Sequence, residues 1–108
     1  MATLKDNPTL ADLQKHIALV CEERGWDKNT HTETFLLFVE EMGELAKEIR
    51  NVTGLHSKKP EGVDGRRALE EEFADVLNYL LDLANRFDID LEKAYRDKQH
   101  INEGRTWK

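Results

Sequence analysis

The sequence has one cysteine, two prolines and six glycines in 108 residues, and aromatic residues make up only 7% of it. With Cys21 alone no disulfide can form within the chain, and a single cysteine in an apolar context fits a reducing compartment, so a cytoplasmic location is expected. No apolar run approaches the roughly 18 residues of a membrane span, and the opening MATLKDNPTL lacks the apolar centre of a signal peptide; no membrane partner is expected. Positive charge is in deficit, with 16 Lys and Arg against 22 Asp and Glu for a net charge of −6. Coating nucleic acid needs a clustered positive face, so no nucleic-acid partner is expected either, although an acidic site charged with metal escapes this objection. Period-two alternation is absent as well, which removes strands from consideration.

What remains is a chain rich in helix formers. NPTLADLQKHIALVCEERGW predicts a first helix over residues 8–24, with Asn7 as cap, Pro8 at the first helical position and Gly25 as the stop. WDKNTHTETF is a connection. A second helix is expected over 33–50, capped by Thr32 or a neighbour, with Phe35, Phe38, Met42, Leu45 and Ile49 on its inner face. Residues 51–65 hold three glycines, one proline, Lys58 and Lys59, and predict a long exposed loop that is a candidate lid. A third helix over 66–87 shows a wide apolar face of Leu69, Phe73, Val76, Leu77, Leu80, Leu83 and Ala84. Asp90 caps a fourth over 91–102. The fold class is all-α: a small antiparallel four-helix domain spanning residues 1–108, too small to bury a generous core and therefore a bundle completed by oligomerisation.

The second helix carries more acid than its apolar side explains. Glu41 and Glu44 are three apart, one turn from each other on one face, and Glu72 and Asp75 repeat the arrangement on the third helix. An antiparallel return between them would bring the two pairs face to face. Two such ions about 4 Å apart repel by about 4 kcal/mol at an effective dielectric of 20, and a hard divalent cation removes that cost. All-oxygen ligands favour Mg²⁺, Mn²⁺ or Ca²⁺ over zinc, and the chemistry suggested is metal-assisted attack of water on phosphorus. A solvated acidic face has the same spacing, and spacing alone does not separate the two. A di-iron carboxylate bundle would need E-x-x-H on two helices, where the chain offers only Asp97 and His100. Lys98, Asn102 and Arg105 step along one face by four and three, a set suited to polyphosphate oxygens, although basic residues near a helix end also suit its dipole.

With EEMGELAKEI, LEEEFADVLNYLLDLA and KQHINEGRTW in that order, the chain resembles the MazG-type nucleoside triphosphate pyrophosphohydrolases of the all-α NTP-PPase superfamily. ERGWDKNTHTETFLLFVEEMGELA is further similar to the compact branch that includes the dCTP pyrophosphatases, but HTET stands where that branch often has proline and asparagine, so base identity does not carry over. The resemblance implies Mg²⁺-dependent hydrolysis of a (deoxy)nucleoside triphosphate to the monophosphate and pyrophosphate, with Mn²⁺ as a possible substitute, for cleansing the nucleotide pool. By position, Glu41, Glu44, Glu72 and Asp75 would hold metal and Glu40 would orient or deprotonate the attacking water. Lys98, Asn102 and Arg105 would hold the polyphosphate. Asn78, Trp26 and His31 are further candidates for substrate contact. A homodimer or homotetramer is expected. The competing reading is a non-catalytic helical module that binds metal, nucleotide or a basic partner.

Overall fold

The computed structural model describes residues 2–54 and 65–105. Among them every regular element is helical: α1 (Leu10–Arg24), a 3-10 turn (Trp26–Lys28), α2 (His31–Thr53), α3 (Gly65–Arg86) and α4 (Leu91–Glu103). The all-α expectation therefore holds for the described residues. The candidate lid falls mostly on residues 55–64, outside them.

Helix ends follow capping chemistry more than the hydrophobic pattern. Thr9, not Asn7, caps α1: its hydroxyl accepts from Asp12 N at 3.1 Å while its own N–H donates to the Asp12 carboxylate at 2.9 Å. This reciprocal box satisfies two otherwise orphaned donors, whereas Asn7 lies in the left-handed region at φ 53° and Pro8 precedes the helix. Thr30 and Glu33 form a second box, so α2 begins at His31, earlier than the apolar stripe suggests. It also continues past Arg50 to Thr53, where Gly54 at φ 73° closes it by donating to the carbonyls of Arg50 and Asn51. Asp90 caps α4 as predicted, accepting from Lys93 N.

The chain divides into two compact units, residues 1–28 with 81–108, and residues 29–80. In the first, α1 packs on α4, and Ile17, Cys21 and Leu81 form a buried core supported by Leu10, Leu13, Val20 and Leu91. Burial holds the Cys21 thiol protonated, its pKa pushed up to about 11, so it is a packing residue and not a nucleophile. Gln14, also buried, is fully engaged: its amide donates to Asn85 Oδ1 and the Ile89 carbonyl and accepts from Leu91 N, and its backbone carbonyl accepts from Asn85 Nδ2. These four bonds tie the α3–α4 corner to α1.

The second unit departs from the predicted inner face. Phe38 and Leu45 are half-buried as expected, but Phe35, Met42 and Ile49 are exposed, while Thr34, Leu37, Glu41 and Glu48 are buried or half-buried in their place. On α3, likewise, Leu69, Glu72, Val76 and Tyr79 turn inward, and Phe73, Leu77 and Leu80 are exposed. Each helix therefore carries two apolar strips about one residue apart. The inner strip is the one interrupted by acid.

Candidate metal centre

An ideal Cβ on Gly65 would lie 3.4 Å from Val52 Cγ2, so the end of α2 meets the start of α3. Further back along α2, Glu41 meets Glu72 and Asp75 further along α3, which makes the two helices antiparallel. One carboxylate oxygen from each of Glu41, Glu72 and Asp75 lies within 4.8 Å of the others. Glu72 and Asp75 share a face of α3 because three residues bring a helix almost one full turn round. The predicted convergence of the two acidic pairs is thus realised for three of the four groups. Glu44 is exposed and outside this set.

Proximity has an electrostatic consequence. The Glu41 carboxyl is pushed up to about 7, first by burial, then by contact with the Glu72 carboxyl, then by the charges of Glu72, Asp75 and Glu44. Near neutral pH the site holds a carboxyl group caught between protonation and charge. Glu41 Oε2 and Glu72 Oε2 are moreover buried without a hydrogen-bond partner. Buried polar atoms in folded proteins are almost always paired, and unpartnered oxygens on two carboxylates that converge are what a cation would satisfy. Three oxygen donors with no nitrogen or sulfur suit a hard divalent ion such as Mg²⁺, which keeps waters in its remaining positions. The residues fit the ion.

The other candidates are dispersed. Glu40 is exposed beside Glu41, Asn78 is exposed on α3 three residues beyond Asp75, and His31 is the first residue of α2. Lys98 and Asn102 lie in the first unit on α4, Asn102 half-buried and Lys98 exposed. Arg105 does not continue their face: α4 ends at Glu103, Gly104 caps it, and Arg105 follows in non-helical backbone, its N–H donating to the Asn102 carbonyl at 3.1 Å. The step of four and three therefore breaks at its last member, which lies past the helix end. Trp26 opens the 3-10 turn, is 45% exposed and has Arg24 Cζ 5.0 Å from its ring centroid.

Two groups escaped sequence reasoning. Thr34 is buried at 1% exposure with its hydroxyl unpartnered, two turns before Glu41; a threonine near a helix start gives no signal beyond capping. Arg86 donates from its guanidinium to the Trp26 carbonyl. Its pairing with Asp82 was readable from the i, i+4 spacing, but the carbonyl partner was not.

The MazG nucleotide pyrophosphohydrolase domain matches residues 29–102. The chain belongs to this family. The match contains all four predicted metal ligands of the MazG chain and, on α4, Lys98 and Asn102. Human dCTP pyrophosphatase 1 is 37% identical over 107 residues, covering 91% of this chain and 59% of that protein. The Bos taurus dCTP pyrophosphatase 1 is 34% identical over 112 residues, with 95% and 62% covered. The MazG chain thus spans about three fifths of the length of these curated relatives. The crystal structure of YPJD from Bacillus subtilis superposes with a TM-score of 0.75 at 28% identity, covering 94% of this chain and all of that one. The resemblance carried by the three short motifs is borne out.

Proposed function

We propose that this MazG chain is a cytoplasmic Mg²⁺-dependent pyrophosphohydrolase that cleaves a (deoxy)nucleoside triphosphate between the α and β phosphorus atoms and so cleanses the nucleotide pool. The observation that carries the reading is the convergence of Glu41, Glu72 and Asp75 within 4.8 Å, with two buried oxygens lacking partners. The family match and the dCTP pyrophosphatase relatives support a nucleotide as substrate. In this reading Glu41, Glu72 and Asp75 hold Mg²⁺, with Glu44 adding charge from the next turn. The ion supplies Lewis-acid polarisation of the phosphate oxygens.

The residues of the chain do the rest. Glu40 orients a water and accepts its proton as the water oxygen bonds to the α phosphorus. The bond from that phosphorus to the bridging oxygen breaks, and the bridging oxygen leaves with pyrophosphate. Lys98 and Arg105 offset the charge that develops on the leaving group, while Asn102 donates to a phosphate oxygen. Trp26 stacks on the base, and Asn78 and His31 contact the substrate at sugar or phosphate. The apolar side chains exposed on α2 and α3, Phe35, Met42, Phe73 and Leu77 among them, support assembly into a homodimer or homotetramer that would cover them.

A panel of canonical and modified triphosphates with Mg²⁺, scored for pyrophosphate against orthophosphate, tests the reading. Pyrophosphate as the primary product from at least one member is expected. Orthophosphate as the primary product, or no turnover with any member, overturns it.

A further inference from the structure

Trp26 is held from two directions within the first unit. Arg24 lies over the indole, its Cζ 5.0 Å from the centroid, while Trp26 as a residue remains 45% exposed. Beneath the turn, the Arg86 guanidinium reaches both Asp82 and the turn: Nε donates to Asp82 Oδ1 at 3.1 Å and Nη2 to the Trp26 carbonyl at 2.9 Å. Both side chains of that ion pair are largely sequestered, at 10% and 15% exposure.

A sequestered ion pair contributes little net stability, because desolvation offsets most of its attraction, and an apolar pair would serve packing as well. What the guanidinium adds is geometry. Its planar fork fixes two acceptors at once, one on the last turn of α3 and one on the backbone that carries Trp26. The 3-10 turn is three residues long and has no buried side chain to anchor it. Gly25, at φ 74°, leads directly into it, so the turn's orientation is not set by a continuous helix.

We propose that Arg86, oriented by Asp82, is a positioning residue for Trp26, holding the indole so that the face not covered by Arg24 meets the nucleobase of the substrate. This rests on the reading that Trp26 stacks on the base. Stacking a base on an exposed indole is sequence-tolerant, because every base has a π face, and its strength depends on presenting the ring at a fixed angle and depth. A guanidinium on the opposite face makes the platform a three-layer stack of cation, indole and base.

The test uses the full chain with Trp107 replaced by Phe, which leaves Trp26 as the one remaining tryptophan of the two. In that parent, Arg86→Lys, Arg86→Met and Trp26→Leu are compared by indole emission without substrate, by quenching with a non-hydrolysable triphosphate, and by kcat and KM with Mg²⁺. Lysine can still pair with Asp82 but lacks the planar fork that also reaches the Trp26 carbonyl, so Arg86→Lys loosens the hold on Trp26 while keeping a cation beside Asp82, even where Arg86→Met fails to fold. Expected for Arg86→Lys are a red-shifted emission and a KM raised about tenfold, the loss of one base stack, with kcat within about twofold of the parent. Parental emission and KM in Arg86→Lys overturn the positioning role, and so does a fall in kcat with KM unmoved. Parental KM in Trp26→Leu overturns the stacking reading beneath it. The emission arm needs no substrate, so failure of the catalytic reading and failure of the positioning role remain distinguishable.

Discussion

Glu41 concentrates the account at the scale of a single residue. It is half-buried, faces two other carboxylates, has an unpartnered oxygen and is pushed up to about 7. If the three carboxylates hold the ion, Glu41→Gln, Glu72→Gln and Asp75→Asn each lower kcat/KM by at least about 100-fold, since loss of mere outer-shell support already costs 10–100-fold. Glu44→Gln costs less. Steady-state pyrophosphate release with Mg²⁺ checks the ranking. The pKa makes a separate prediction for the metal-free chain. A carboxyl that releases its proton near 4.5 when unfolded and near 7 when folded lends stability that is full below the lower value and lost as pH rises through the upper one. Glutamine cannot ionise. In chelator, Glu41→Gln should therefore melt close to the native chain at about pH 5 and higher than it by roughly 5 °C at about pH 8, with Mg²⁺ closing the gap by stabilising the native chain. Parallel melting temperatures across that range would refute the electrostatic description of the site.

The helical elements show where sequence reasoning succeeded and where it slipped. Element number and order were legible because apolar residues recur at steps of three and four and because Gly25, Gly54 and Asp90 punctuate the chain. The starts of α1 and α2 were not, because Thr9 and Thr30 cap through reciprocal bonds with Asp12 and Glu33, and a short polar pair competes with an apolar stripe for attention. The inner face of α2 was misplaced by one position for a more instructive reason. Periodicity finds the most apolar side of a helix, and here Phe35, Met42 and Ile49 form that side while Thr34, Glu41 and Glu48 turn inward. The strip that carries the candidate metal centre is thus the more polar one. The more apolar one, with Phe73, Leu77 and Leu80 on α3, awaits a partner in the proposed oligomer. Met42→Glu with Phe73→Glu should shift the sedimentation coefficient to that of a monomer while far-ultraviolet dichroism retains its helical signal. An unchanged oligomer in that double variant would remove these strips from the interface.

For the molecule as a whole, a thin core was predictable from 108 residues, and among those described only Ile17, Cys21, Leu81 and Ala84 are buried apolar side chains. The candidate site was legible in outline, since Glu41, Glu72 and Asp75 could be paired from spacing on two helices. What spacing could not supply was depth: which oxygens lose their water. The central claim is that water attacks the α phosphorus of a nucleoside triphosphate at this carboxylate centre. Turnover in ¹⁸O-labelled water with Mg²⁺, read by mass spectrometry of both products, tests it most directly. One ¹⁸O atom in the nucleoside monophosphate and none in the pyrophosphate is the expected result; label in the pyrophosphate, or in orthophosphate released from the γ position, would contradict attack at the α phosphorus.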